Sequence, residues 1–314
     1  MNTLHRRISR REGEFLLFAV TPPRRAVTPE KAQEIADVTL ARLHGVELDG
    51  LMLYDIDDES DRNPEERPFP FLPTMDPASF RARHLGSWKG PVVVYRAVGK
   101  YSETALKSWL QSQDTDTVLS VFVGAPSRKK QVSTSLRESH ALRAQVKPDL
   151  LLGGVAIPER HTRHGEEHLR LLAKQDAGCS FFVTQVVYDV NAVKSLVSDY
   201  HYECAARGVT PVPVVFTFSV CGSMKTLQFF SWLGVDVPQW IQNELKQAKD
   251  PLDASYQQAL ATARDLMDFC RRLNVPFGLN VESVSIRRAE IESSVELARQ
   301  LQKELVRRER IRLE

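Results

Sequence analysis

The chain has 314 residues, of which 42% are hydrophobic, and a formal net charge of +2. That length allows a large buried core in one or two domains. The near balance of basic and acidic residues favours neither nucleic acid nor an acidic membrane surface as a partner. No stretch approaches the roughly 18 continuous apolar residues of a membrane span, and the basic start lacks the apolar segment of a secretory signal.

The cysteines are widely separated and form no C-x-x-C pair, which argues against a disulfide framework or a zinc knuckle and favours a reducing cytoplasm. Ser219 and Ser223 lie near one of them, but the chain has no G-x-S-x-G elbow and no histidine close by in sequence. We therefore predict no nucleophilic catalysis there. The cysteines are Cys179, Cys204, Cys221 and Cys270.

In chain order, short apolar runs typical of buried strands alternate with segments of helical spacing. Strict alternation of this kind predicts a parallel sheet, and eight such units predict a single closed (β/α)8 TIM barrel. A doubly wound sheet would need a glycine-rich turn after the first strand, where the chain has Thr21-Pro22-Pro23. The predicted strands are 15–20, 50–54, 91–95, 117–123, 150–157, 181–183, 212–218 and 276–281. The predicted helices are 28–45, 76–85, 102–112, 133–145, 166–175, 190–206, 225–233, two within 238–273 that separate near 250–251, and 288–307.

No linker divides the chain, so we expect one domain over residues 1–314, with 1–12 as a basic N-terminal arm. The acidic, proline-rich stretch 55–73 is the longest irregular segment. A loop of that length usually binds something or covers a site, the alternative being a solvated insertion. Gly153 and Gly154 lie inside a predicted strand, which indicates that another backbone approaches closely.

In a (β/α)8 barrel the active site is formed by the residues that follow each strand. Here those positions carry uncharged hydrogen-bonding groups beside a few carboxylates, which suits a hydrogen-bonding heterocycle better than a polyphosphate or a metal. The residues are Thr21, Arg24, Asp55, Asp57, Arg96, Gly124, Glu159, His161, Gln185, Thr217, Ser219, Asn280 and Glu282.

Two of these positions have an alternative interpretation. The run His161-x-x-His164-x-x-x-His168 has spacings at which imidazoles can converge on zinc. We favour solvated histidines at a helix start and predict no metal. Glu159 is either a pocket residue or a structural carboxylate paired with a neighbouring arginine.

Three segments, 156–161 (AIPERH), 174–178 (KQDAG) and 184–189 (TQVVYD), resemble the signature segments of the methylenetetrahydrofolate reductase family in order and spacing. Pro22-Pro23-Arg24 and the segment 237–240 (VPQW) also match. The resemblance implies a (β/α)8 barrel of one-carbon metabolism and methionine biosynthesis. It further implies reduction of the methylene carbon of a tetrahydrofolate by hydride from NAD(P)H, usually through FAD.

Position by position, the resemblance implies that Gln185 contacts the pterin and the nicotinamide. It also implies that His161 and Lys174 help to hold a flavin. Gly124 and Thr184 are further candidates for cofactor binding.

The chain departs from the family at three places. Ala19 stands where the family has the glutamate that delivers the proton, and 123–125 (VGA) stands where it has an Arg-Gly-Asp turn against the flavin. Ile157 replaces a tyrosine. The segment 122–126 and the acidic loop are more similar to a short actinobacterial branch thought to work without flavin, in which hydride passes directly from the nicotinamide.

If the protein is active, another acid must replace the missing one, and we nominate Asp55, Glu159 and Glu282 because each follows a predicted strand. The leading hypothesis is an NAD(P)H-dependent reductase of methylenetetrahydrofolate. The alternatives are a folate-binding homologue without this chemistry and a different folate reaction such as methyl transfer. The expected partner is a small tetrahydrofolate derivative, and a homo-oligomer remains open.

Overall fold

The computed structural model describes residues 3–58, 63, 65–125 and 131–313, and the side chains of these as far as residue 306. Its centre is a closed barrel of parallel strands in chain order, with β8 pairing back onto β1. The predicted (β/α)8 fold is confirmed. The strands are β1 (Phe15–Val20), β2 (Gly50–Leu53), β3 (Val92–Ala97), β4 (Val118–Val123), β5 (Leu152–Ala156), β6 (Cys179–Val186), β7 (Val214–Ser219) and β8 (Phe277–Glu282).

Helices surround the barrel, and most begin at a residue whose side chain caps the first turn, as Thr28, Asp76, Ser135 and Asp189 do. Among the described residues, none of the helices combines the length and the apolar composition that a membrane crossing requires. The helices are α1 (Thr3–Ser9), α2 (Pro29–Leu43), α3 (Pro77–His84), α4 (Glu103–Gln111), α5 (Leu136–Val146), α6 (Pro158–His164), α7 (Glu167–Asp176), α8 (Val190–Ala206), α9 (Met224–Trp232), α10 (Gln239–Gln247), α11 (Pro251–Leu273) and α12 (Arg288–Leu313).

Alternate residues of each strand point to opposite faces of the sheet, so the barrel has two apolar layers. The inner layer is the barrel interior, which contains Leu17, Met52, Val93 and Val183. The outer layer packs against the helices. Both layers are buried, which explains why the strands are continuous apolar runs rather than alternating ones.

The basic N-terminal segment forms α1, which packs against the barrel interior. Leu4 and Ile8 are 0% and 1% exposed and belong to the same apolar cluster as the inward residue Phe15. Arg7 donates hydrogen bonds to the carbonyl oxygens of Gly13 and Glu14, just before β1. The helix therefore covers the end of the barrel at which the strands begin.

Two local expectations need correction. The sequence predicts no helix between the strand that ends at 157 and the helix that starts at 166, but α6 lies there, and Gly165 caps its end with a left-handed φ of 67°. The close approach at Gly153 is made by a side chain and not by a backbone, because a Cβ there would lie 2.5 Å from the ring of Phe181. Residues 59–62 and 64 of the acidic loop, and Pro126 of segment 122–126, lie outside the described residues.

Candidate functional site

A cavity of about 1130 Å³ opens at the end of the barrel where the strands terminate. That volume slightly exceeds the range of about 300–1000 Å³ typical of small-molecule sites. The predicted site residues that line it are Thr21, Arg24, Asp55, Asp57, Gly124, Lys174, Thr184, Gln185, Thr217 and Glu282. Arg96, Glu159, His161, Ser219 and Asn280 are not among its lining residues.

Glu282 is a buried carboxylate of this cavity and lies at the end of β8. Burial raises its pKa to about 7, and a hydrogen bond with the hydroxyl of Tyr54 partly opposes that shift. The β1–β8 register pairs Phe18 with Val281, so that the next pair on the inner face brings Ala19 beside Glu282. A carboxyl group that is about half protonated near neutrality therefore lies next to Ala19, a position that has no carboxyl group of its own.

Tyr54 and Tyr95 complete the wall around this carboxyl group, and our sequence reasoning did not nominate them. Their rings pack edge to face, with centroids 4.9 Å apart. Below them, the side-chain amide of Asn280 donates to the hydroxyl of Tyr54 at 3.1 Å and to Thr217 at 3.3 Å. The signal available in the sequence was the two-residue alternation of each strand, which places Tyr54 two residues after the inward Met52.

Gln185 lines the cavity and carries an acceptor without a partner among the described residues. Its Nε2 donates to the carbonyl oxygen of Leu233 at 3.3 Å, while its buried Oε1 has no hydrogen-bond partner among the described residues. A buried acceptor left unpaired costs about 1–3 kcal/mol, so a ligand that donates to it gains that free energy back. The neighbouring Thr184 is already used, because its hydroxyl oxygen accepts from the backbone N–H of Thr217.

Asp55 lies on the wall of the cavity, but its oxygens are engaged by the protein. They accept from the ammonium of Lys100 at 2.5 Å, the hydroxyl of Tyr101 at 2.7 Å and the backbone N–H of Ala97 at 2.9 Å. Arg96 joins the same network through Asp76 and Tyr101 instead of facing the cavity. A carboxylate paired in this way holds the rim together, and its oxygens already accept from three protein donors.

Lys174 and Gly124 both line the cavity, but neither is well suited to bind a flavin. The ammonium of Lys174 donates to the carbonyl oxygen of Val155 and lies 4.0 Å from Glu167, and burial lowers its pKa. A Cβ on Gly124 would make only ordinary contact with Leu136.

The expectation that Glu159 and His161 would reach this cavity is not met. Both lie on α6, which starts immediately after β5 and turns these side chains away from the barrel mouth. Glu159 accepts from the backbone N–H of Asp236 at 3.5 Å, and burial raises its pKa. The Nε2 of His161 lies 3.0 Å from the carboxylate of Asp199 on α8. Both residues assigned to a flavin, His161 and Lys174, are thus committed to protein contacts and do not fit a flavin.

The described part of the acidic loop crosses the barrel mouth from β2 to α9. Arg67, Phe71 and Leu72 line the cavity. The Arg67 guanidinium lies over the rings of Phe229 and Trp232, at 5.2 and 5.3 Å from their centroids. The described part of the loop therefore forms part of the cavity wall and contacts α9, and its role as a functional loop stays a prediction.

The region of Cys221 contains no activated nucleophile. Burial raises the pKa of the Cys221 thiol to about 12. The hydroxyl of Ser223 caps α9 by accepting from the backbone N–H of Thr226. All four cysteines of the chain are buried and free.

A (β/α)8 barrel with a large cavity at the carboxyl ends of its strands, a buried carboxyl group and an unpaired amide oxygen defines a small-molecule-binding barrel protein. Comparison with known proteins identifies its family. The family model for methylenetetrahydrofolate reductase matches residues 139–280. A solved protein of Clostridium thermocellum, described as binding two copies of 5-methyl-5,6,7,8-tetrahydrofolic acid, is 38% identical, with 95% of this chain and 98% of that chain covered and a TM-score of 0.84. The chain belongs to the methylenetetrahydrofolate reductase family.

Other solved structures match over most of the chain at much lower identity. One is a putative deoxyribose-phosphate aldolase from Toxoplasma gondii ME49, at 11% identity and a TM-score of 0.44, with 96% of this chain and 97% of that chain covered. Another is an endo-1,4-beta-xylanase from Caldicellulosiruptor owensensis, at 10% identity and a TM-score of 0.46, with 91% and 89% covered. No curated protein matches the chain.

Proposed function

We propose that this protein binds reduced folates in the mouth cavity and reduces 5,10-methylenetetrahydrofolate to 5-methyltetrahydrofolate with hydride from NAD(P)H. Folate binding is supported by the Clostridium thermocellum relative, which matches the chain over nearly its whole length. The observation that carries the reductase proposal is Glu282, a buried carboxyl group with a pKa of about 7 beside the position of Ala19.

The pterin ring suits the unpaired acceptor in the cavity wall. Pterins carry ring N–H and amino groups that donate hydrogen bonds, and Gln185 offers a buried Oε1 without a partner among the described residues. Tyr54 and Tyr95 provide aromatic surface for a flat ring. We therefore assign Gln185 the role of orienting the pterin, which fixes the methylene carbon relative to the hydride donor.

The reaction needs one proton and one hydride. A proton delivered to the departing nitrogen opens the five-membered ring and leaves an iminium carbon, to which hydride from the nicotinamide then adds. The products are 5-methyltetrahydrofolate and the oxidised dinucleotide. We assign the proton delivery to Glu282, because a general acid works best with a pKa near the operating pH. Asp55 is a weaker choice since donors already engage it, and Glu159 does not line the cavity.

The poor fit of His161 and Lys174 to a flavin supports direct transfer from the nicotinamide. His161 faces Asp199 outside the cavity, and Lys174 donates to a backbone carbonyl. Freshly purified protein should therefore lack the yellow flavin absorbance. A stoichiometric flavin band would contradict direct transfer without affecting the proposed acid.

A second candidate function is folate binding without reduction, and Ala19 favours it, because the family's acid is missing at that position. The two functions are separated by adding methylenetetrahydrofolate to the purified protein with NADH and then with NADPH. Oxidation of either nucleotide supports the reductase. If neither nucleotide is oxidised but calorimetry detects folate binding, the protein binds folate without reducing it. If no reduced folate binds at all, both proposed functions are excluded.

The acid is tested by Glu282→Gln, which keeps the shape of the side chain but cannot deliver the proton. We expect turnover to fall by about 10²- to 10⁴-fold, the usual size of a general-acid effect, with folate affinity little changed. Glu159→Gln is the matched control, because that carboxyl group is also buried with a raised pKa but lies outside the cavity lining. Full activity in Glu282→Gln would remove Glu282 as the acid.

A further inference from the structure

A second group of chemically reactive side chains lies on the helical layer, away from the folate cavity. His161 on α6, His168 on α7 and Asp199 on α8 each offer one ligand atom, and these atoms lie within 4.8 Å of one another. None of the three lines the mouth cavity. We call this group the three-helix cluster.

The cluster leaves polar atoms unsatisfied. His161 is only 6% exposed, and its Nδ1 has no hydrogen-bond partner among the described residues. The same holds for the buried Nδ1 of His168. Buried polar atoms are nearly always paired in folded proteins, so contacts among the described residues do not account for all the polar atoms of this cluster.

The geometry suits a metal ion. The Nε2 of His161 already lies 3.0 Å from the Oδ2 of Asp199. The rings of His161 and His168 are perpendicular, with centroids 5.3 Å apart. Zinc–nitrogen bonds of about 2.0–2.1 Å place tetrahedral ligand atoms about 3.4 Å from each other. Side-chain movements of roughly 1 Å would bring the three ligand atoms to these distances.

We propose that the three-helix cluster binds one Zn²⁺ ion, or a late first-row divalent cation of similar preference. Two imidazoles and a carboxylate form a ligand set that zinc accepts, and water completes a four-coordinate site because Asp199 is exposed. The two nitrogen ligands disfavour ions that prefer oxygen ligands, such as Mg²⁺.

Such an ion would hold α6, α7 and α8 together on one side of the barrel. α6 and α7 are separated only by Gly165 and Glu166, whereas α8 follows β6, so the site would tie together two successive βα units. Since Arg160 on α6 lines the folate cavity, the ion would also fix the base of one cavity wall. We assign the ion a structural role, so the proposed metal site does not depend on the proposed reductase activity.

The test uses the full-length protein stripped with a chelator and then titrated with Zn²⁺ against a chromophoric competitor. We expect one tightly bound equivalent and, with Co²⁺, the intense visible bands of a tetrahedral site. His168→Gln and Asp199→Asn should each weaken the affinity by about 100-fold or more, since even outer partners of metal ligands contribute 10- to 100-fold. Both residues lie toward the surface, so the variants are expected to fold.

His164→Gln is the matched control, because this exposed histidine lies on the same helix as His161 but not in the cluster. It should retain the affinity of the unaltered protein. The proposal is overturned if the stripped protein takes up no Zn²⁺ in competition, or if His168→Gln and Asp199→Asn bind it as tightly as His164→Gln. Circular dichroism of each variant shows whether a loss of Zn²⁺ binding comes from a loss of the fold.

Discussion

In the proposed reductase, Glu282 takes the place of an acid that the chain lacks. The family's acid position is occupied by Ala19, and the neighbouring strand brings a carboxyl group to the adjacent inward position. Burial, and not a neighbouring charge, is the main cause of its raised pKa. The same burial that raises this pKa also costs stability whenever the group is ionised.

That cost predicts a pH dependence of folding. In the folded protein the pKa of Glu282 is about 7, against an ordinary value of 4.5. The folded state therefore binds this proton more tightly, and the resulting stability is present in full below about pH 4.5 and lost as pH rises through about 7. The shift corresponds to about 3 kcal/mol. Urea denaturation from pH 5 to pH 8.5 should show this fall in the unaltered protein and a smaller one in Glu282→Gln. Parallel curves for the two proteins would contradict the assignment.

Moving the acid back to the first strand tests whether Ala19 and Glu282 serve the same reacting group. Ala19→Glu in the Glu282→Gln background should recover turnover by about 10²-fold, because a carboxyl group again faces the cavity from the adjacent strand. Ala19→Gln in that background has the same size and no acid, and should recover nothing. Equal rates in the two double variants would show that the two positions are not interchangeable.

At the level of elements, apolar runs and helix caps predict the barrel strands and most helices because both signals are local. The helix α6 was missed because it is short and carries polar residues on its buried side. That error also explains the misplacement of Glu159 and His161. Side chains in the first turns of such a helix point in different directions, so that Arg160 lines the cavity whereas Glu159 and His161 do not. The adjacency of Ala19 and Glu282 was not predictable, because it depends on the register between the first and last strands.

The acidic loop 55–73, whose described part lines the cavity, gives a prediction at the level of elements. Arg67 lies against the rings of Phe229 and Trp232 and joins the loop to α9. Because a cation–π contact contributes about 0.5–2 kcal/mol, Arg67→Ala should weaken folate binding by roughly tenfold, with a smaller effect on overall stability. Calorimetry with a reduced folate measures the first effect and thermal unfolding the second. Arg264→Ala, which removes an exposed ion pair with Glu304, is the control. Unchanged affinity in Arg67→Ala would mean that the loop does not hold the ligand.

Across the whole molecule, the barrel separates the groups that stabilise it from those that bind ligands. The cavity lies where the strands end, and α1 closes the end where they begin. The barrel interior between them is filled by inward apolar side chains such as Phe15, Val121 and Phe181. Changes at one end should therefore be felt little at the other.

Leu4 offers the sharpest test of that separation, because it lies on α1 at 0% exposure. Leu4→Ala leaves a cavity in the barrel interior and should lower the free energy of unfolding by about 2–5 kcal/mol. Folate affinity at the opposite end should stay within about twofold, since distant sites without shared partners behave independently. Leu169→Ala is the matched control, because that leucine is 40% exposed and its loss should have little effect on stability. A large loss of folate affinity in Leu4→Ala, measured where the variant is still fully folded, would show that the packing of the barrel interior couples its two ends.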